Sequence, residues 1–525
     1  MGKVNIKTGK IKSNQNIFTL KVKTESNGLG VLKTLLVMVL IFLQLALIIS
    51  SYYFFLKIFH WYFAVSLILT GITCIYVLSS DIHGQAKAMW VLFLLLCFSF
   101  GYVIYFLSDK KILFRKARLK YANIEQQHKQ NGGQLNISRI TNQEEKTVAQ
   151  YLYNVGNFIP SLNSRVNYLS SGNKVFDSVI EELQKATQFI FIEYFILSNG
   201  VLFNRIFDIL KQKARQGIDI RIIYDDMGSH NTLKRRTKKE IRNAGIKLEC
   251  FNRLVPVFNI ALNLRDHRKI IVIDGKVAYT GGVNLSDEYI NEKRMHGYWK
   301  DCGVKIEGEA VDNLTVSFLK QWEFLTQRVE CFKKFTNKAD RFVENGVVIP
   351  FVSGPNYSCS IAKDIYASLI SSANKILYIM SPYFIPDETI TNLLIQKARS
   401  GVDVRLILPD VADKKFVYIV SRNNAEKLLT HGIKVYTMKS CFVHSKVVLT
   451  ENSAVVGSIN MDLRSFFQQF ESAVYVTQEN VLSSIKNDFG YVFDRSLEIT
   501  LTNQKRNNPL FRVLAGLFNL VSPCM

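Results

Sequence analysis

The sequence has no CxxC pair and no grouping of histidine with cysteine. Its eight cysteines, Cys74, Cys97, Cys250, Cys302, Cys331, Cys359, Cys441 and Cys524, are scattered along 525 residues. That spacing argues against a zinc module and against a disulfide framework. Acidic residues are in deficit: 43 Asp and Glu stand against 66 Lys and Arg, a formal net charge of +23. Such an imbalance favours polyanionic partners, either nucleic acid or an anionic membrane surface, and charge alone does not separate the two. Charge is missing altogether from residues 35–55, 61–80 and 88–108. Each stretch is about 20 residues, the length a helix needs to cross a hydrocarbon core. A cleaved signal peptide would be shorter, nearer the terminus and not followed by further apolar segments.

Basic residues flank this region on both sides. Lys3, Lys7, Lys10, Lys12, Lys21, Lys23 and Lys33 precede it; Lys110, Lys111, Arg115, Lys116, Arg118 and Lys120 follow it. Positive flanks favour the cytoplasm, and three crossings cannot place both there. The reading adopted is a multi-pass cell-membrane protein with one re-entrant or interfacial segment and its soluble body on the cytoplasmic side. The chain divides into a basic N-terminal segment (1–34), a transmembrane region (35–108) and a basic, polar linker (109–150). A soluble body follows, then a basic-apolar tail (501–525) that either lies on a bilayer or docks on the body.

The body repeats itself. Lys213-Ala-Arg-Gln-Gly-Ile-Asp-Ile-Arg-Ile-Ile-Tyr-Asp matches Lys397-Ala-Arg-Ser-Gly-Val-Asp-Val-Arg-Leu-Ile-Leu-Pro-Asp. Each reads as a helix end, a glycine cap and an apolar strand. A strand containing Tyr-Phe-Ile precedes each copy, and a helix, a Gly-Ile-Lys strand and a His-x-Lys strand follow. This alternation predicts two tandem α/β domains, 151–335 and 336–500. Facing each other across a pseudo-twofold axis, they could build one site.

The chemistry-bearing residues recur at matched places. The first copy has His267-Arg-Lys269, then Asp274, then Gly281-Gly282-Val-Asn284; the second has His444-Ser-Lys446, then Glu451, then Gly457-Ser458-Ile-Asn460. In a strand, residues two apart share a face, so His and Lys of each copy project together. Cleaving a phosphodiester needs a nucleophile, a proton donor for the leaving alkoxide, and positive charge or N–H donors on the phosphoryl oxygens. Two histidines can divide the first two tasks, and two lysines and two asparagines can supply the third. This scheme needs no metal and no cofactor.

The doubled H-x-K-x4-D and G-G/S-x-N pattern resembles the phospholipase D superfamily. Glu193-Tyr-Phe-Ile, Trp299-Lys-Asp301, Ser381-Pro-Tyr-Phe-Ile-Pro386 and Asn460-Met-Asp-Leu-Arg-Ser-Phe466, with Gln469-Phe-Glu471, narrow the resemblance to bacterial cardiolipin synthases. The resemblance implies phosphatidyl transfer between two phosphatidylglycerol molecules through a phosphohistidine. His267, Lys269, Asp274, His444 and Lys446 form the implied catalytic set, with His267 preferred as nucleophile. Asn284, Asn460, Ser458, Asp301 and Glu471 support it, the two acids by orienting an imidazole. The motif Asp resembles a structural partner in this family, and in the second copy Glu451 replaces it while the spacing to Asn460 is one residue shorter. Phosphatidylglycerol and an anionic lipid surface are the implied partners, and no nucleic acid is expected. A hydrolase or headgroup-exchange enzyme with the same site, a membrane-tethered nuclease and a decayed scaffold are the competing readings.

Overall fold

The computed structural model describes residues 32, 35–50, 56–80, 82, 84–107, 110–128, 137–254, 264–520 and 522. They divide into two units. One holds the described residues between 32 and 82 and those of 90–107; the other holds the described residues of 84–89, 110–254 and 264–522.

In the first unit, the helix Leu56–Ser79 carries a run, His60–Ser79, of 20 residues. Among the described residues it is the one helix long and apolar enough to cross a membrane. Most of its apolar side chains face outwards, with Trp61, Ile68 and Ile75 exposed, while Val77 is buried. The helix Leu35–Ser50 is shorter, and residues 51–55 of the first expected span lie outside the described residues. The third expected span is interrupted at residues 97–100, leaving helices Gly84–Leu96 and Gly101–Leu107. Val77, Leu94 and Tyr105 form a small core within this unit.

The stretch expected as a polar linker contains ordered helix. Lys110–His128 is helical, and Tyr121, Ile124 and His128, spaced three and four apart, are buried on one face. The Tyr121 hydroxyl donates to Gln321 at 2.7 Å, and His128 stacks on Phe332 at 3.7 Å. Polar composition concealed a helix that buries Tyr121, Ile124 and His128 and leaves Leu119 exposed.

Two sheets dominate the second unit. The first contains β1 (Ser164–Leu169), β2 (Phe189–Tyr194), β3 (Asp219–Asp225), β4 (Lys247–Phe251), β5 (Lys269–Ile273), β6 (Val277–Gly281) and β7 (Gly303–Gly308). The second contains β8 (Val348–Ser353), β9 (Ile376–Met380), β10 (Asp403–Pro409), β11 (Lys434–Met438), β12 (Val447–Thr450), β13 (Ala454–Gly457), β14 (Gln469–Val476) and β15 (Ser496–Ile499). Strand order is β1-β7-β6-β5-β2-β3-β4 in the first and β8-β14-β13-β12-β9-β10-β11-β15 in the second. Position by position the two orders correspond, with β15 added at one edge. The matched Lys-Ala-Arg segments end helices at left-handed glycines, Gly217 (φ 84°) and Gly401 (φ 89°), where a side chain would strain the backbone.

The His-x-Lys strands β5 and β12 sit inside their sheets, buried throughout. One hydrophobic core runs through both halves, taking Phe191 and Phe318 from the first and Phe351 and Val455 from the second. Each such side chain contributes about 1.5–3 kcal/mol on burial, so both halves draw stability from shared contacts.

Candidate active site

Short parallel bridges cross between the halves and aim the motif histidines. Arg265–Asp266 pairs with Gln469–Phe470, and Cys441–Val443 pairs with Tyr298–Lys300. The His267 N–H donates to the Phe470 carbonyl at 2.8 Å, and the His444 N–H to the Lys300 carbonyl at 2.7 Å. Each histidine therefore stands beside the residue preceding the other half's acid. His267 Nδ1 lies 3.0 and 3.1 Å from the two Glu471 oxygens, and His444 Nδ1 lies 2.6 Å from Asp301 Oδ2. The sequence placed each acid downstream of a histidine in its own half; the fold exchanges them.

Both imidazoles line one cleft of about 380 Å³, together with Asn284 and Asn460. With Nδ1 committed to a carboxylate, Nε2 is the ring nitrogen left for a ligand. Lys269 and Lys446 are buried (1% and 0% exposed). Lys269 Nζ donates to the His267 carbonyl at 2.6 Å; Lys446 Nζ donates to the His444 carbonyl and lies 2.8 Å from His444 Nδ1. The asparagines differ. The Asn284 amide donates to the Tyr289 hydroxyl (2.6 Å) and accepts from the Ile196 N–H (3.1 Å), whereas the Asn460 side-chain oxygen is buried without a partner.

The glycine pairs explain themselves by crowding. A Cβ on Gly281 would lie 2.5 Å from the Gly303 backbone, and one on Gly457 2.4 Å from the Ser472 carbonyl, so adjacent strands demand glycine at both. A Cβ on Gly282 would meet the Asp301 carboxylate at 2.1 Å. In the second half Ser458 fills that place, its hydroxyl donating to Glu471. Gly282 leaves room for the acid that holds His444, and Ser458 donates to the one that holds His267.

Burial pushes both imidazoles well below the ordinary histidine range, and the lysine charges act the same way. Burial also lowers Lys269 to about 7 and Lys446 to about 8, and raises Asp301 to about 6 and Glu471 to about 7. Burial thus shifts each of these groups towards its neutral form.

Asp274 stands apart from this cluster. It is five residues beyond Lys269, roughly 16 Å at the rise of an extended chain. Its carboxylate accepts from the Thr187 N–H (2.7 Å) and hydroxyl (2.9 Å) and from the Gln188 and Phe189 N–H groups (each 2.8 Å). Glu451 does the same for Asn374 (2.8 Å), Lys375 (3.2 Å) and Ile376 (3.3 Å) at the start of β9. The longer side chain spans what the shorter turn leaves open.

Several cleft residues have no role assigned to them from sequence, although most lie in the segments quoted above. The Phe195 ring lies 5.1 Å from the His267 ring; Tyr289 and Trp299 lie 5.4 and 5.3 Å from the His444 ring. Tyr383, Lys414 and Arg464 also line the cleft. Phe195, Trp299 and Arg464 sit in the segments flanking the motifs, which was the available signal. His296 packs near Trp299 and Phe442 at 6.3 and 6.1 Å.

Comparison with known proteins follows the same lines. Residues 179–322 and 366–493 match the family described as "Cardiolipin synthase, PLD-like domain". A cardiolipin synthase of Alkalihalophilus pseudofirmus is 31% identical over 475 residues, covering 88% of this chain and 93% of its own. Cardiolipin synthase 2 of Staphylococcus epidermidis is 33% identical over 462 residues, covering 84% and 93%. The crystal structure of phosphatidylserine synthase from Haemophilus influenzae Rd KW20 shares the fold, with TM-score 0.57 at 15% identity, over 73% of this chain and 100% of that one. Two matched half-sites with histidines held across the halves, and relatives alike over most of their length, make this chain a member of the cardiolipin synthase family of phospholipase D-like proteins.

Proposed function

We propose that the protein joins two phosphatidylglycerol molecules into cardiolipin and releases glycerol. The observation that carries this reading is the pair of histidines on one cleft, each held at Nδ1 by the other half's carboxylate, within this family. His267 Nε2 attacks phosphorus of the first lipid, forming an N–P bond as the P–O bond to glycerol breaks. His444, held by Asp301, gives its Nε2 proton to the leaving oxygen. His444 then takes the proton of the second lipid's glycerol hydroxyl, whose oxygen displaces His267 from phosphorus. Lys269 and Lys446 balance the phosphoryl charge, and Asn460, which lines the cleft, offers its amide N–H to the phosphoryl oxygens. Asn284 and Ser458 hold the neighbouring shell. Asp274 serves the turn.

The two domains are assigned to 151–335 and 336–500. The protein resides in the cell membrane as a multi-pass protein, with the catalytic body at the cytoplasmic face; the apolar stretches and their basic flanks support this assignment. The test is a vesicle assay with headgroup-labelled phosphatidylglycerol, reading lipid products and free glycerol together. One glycerol per cardiolipin is expected. Phosphatidic acid as sole product would make water the acceptor and the enzyme a hydrolase.

A further inference from the structure

The C-terminal helix Pro509–Leu520 is anchored to the body and yet leaves one apolar face bare. The buried Glu426 carboxylate accepts the Lys505 and Arg506 N–H groups at 3.0 and 2.9 Å, and Arg506 Nε donates to Asn423 at 2.9 Å. Ala515 is buried, and Phe518 packs on the cluster of Ile385, Val417 and Val420. On another face Leu510, Val513, Leu517 and Leu520 are 65%, 60%, 57% and 37% exposed. Their spacing of three, four and three residues makes one continuous stripe. Phe416 is 46% exposed next to Phe518, with ring centroids 6.4 Å apart. Lys414 and Lys415 at the start of the helix Lys415–Leu428, Lys505 just before the tail helix and Arg512 on it are exposed as well.

This face adjoins the active-site cleft. Val417 and Lys414 line the cleft from the helix on which the tail packs, and Ser522, just beyond the tail helix, lines it too. Twelve residues span about 18 Å, too short to cross a hydrocarbon core of about 30 Å. Four side chains on one helix also fall well short of the roughly 800 Å² per partner that a stable protein interface buries. An apolar stripe among cations fits an anionic lipid surface.

We propose that the tail-helix stripe and the Lys414–Phe416 rim dock on an anionic phospholipid bilayer and bring the cleft mouth to the headgroup layer. This rests on the lipid-substrate reading above. The test compares the full-length protein with its Val513→Glu/Leu517→Glu variant on two substrates. One is phosphatidylglycerol in vesicles; the other is a short-chain phosphatidylglycerol below its micelle concentration. The variant should lose about tenfold in rate on vesicles and keep its rate on the monomeric lipid, which also reports that it folds. An unchanged vesicle rate would overturn the docking face. Failure of the unaltered protein on both substrates would instead overturn the lipid-transferase reading. In a second measurement Leu517→Trp, which keeps the face apolar, should show added fluorescence quenched by brominated lipids. Absence of that quenching, or a drop in oligomeric size for the double Glu variant in detergent, would assign the stripe to protein contacts and overturn the proposal.

Discussion

Each motif histidine is held by a carboxylate from the other half, and this gives the site its most direct tests. His267→Ala and His444→Ala should each reduce turnover by roughly a thousandfold or more while melting temperature stays near that of the parent protein. Substantial activity in either would remove the two-histidine mechanism. The exchange itself predicts which mutations couple. In double-mutant cycles on stability, Glu471→Gln should couple to His267→Ala and not to His444→Ala, and Asp301→Asn the reverse, by about 0.5–3 kcal/mol. Coupling within each half would contradict the pairing. Lys269 and Lys446, lowered to about 7 and about 8, predict a sign for anion binding. At pH 8 the first is mostly neutral and the second about half protonated. A bound phosphate favours the cations and raises both values, so binding must draw protons in, roughly one per site. Calorimetric titration with inorganic phosphate in two buffers of different ionisation enthalpy measures this. Proton release, or none, would count against it.

At the scale of elements, the turns after β5 and β12 show one task met by different residues. Asp274, at φ 54°, and Glu451 each collect the N–H groups that open a neighbouring strand. Asp274→Ala strips an acceptor from three backbone donors and a hydroxyl, and should cost about 2–4 kcal/mol in chemical denaturation. Activity per folded molecule should be nearly unchanged. A specific loss of kcat at full stability would return Asp274 to the catalytic group, where the motif alone had put it. A sequence motif records which residues recur together; it does not say whether they meet in space or merely brace the same strand.

Across the whole molecule, the halves are joined by buried polar contacts as well as by a common core. Lys300 of the first half is 2% exposed and donates to Asp488 of the second and to the Ser170 carbonyl, each at 2.7 Å. Lys300→Met leaves the buried Asp488 charge without its cation, with the Tyr168 hydroxyl (2.6 Å) still donating to it. It should destabilise the protein by about 3–5 kcal/mol, read as a lower denaturant midpoint, and Asp488→Leu added to it should recover part of that loss. A midpoint unmoved by Lys300→Met would mean that this ion pair contributes nothing to holding the halves together.

The amino-acid sequence by itself determined the repeat, the strand–helix alternation and the pairing of His with Lys at i and i+2, because these depend on local periodicity. It also marked the glycines that end matched helices, because backbone conformation there is a local demand. The partner of each histidine was settled only by tertiary structure: parallel bridges between distant segments bring Glu471 to His267 and Asp301 to His444. The same holds for the unlike asparagines, for Tyr289 and Trp299 around His444, and for the tail. Its apolar spacing left docking and lipid contact equally open. The fold shows that it docks through Ala515 and Phe518 and turns Leu510, Val513 and Leu517 outwards, since only packing decides which face of a helix is used.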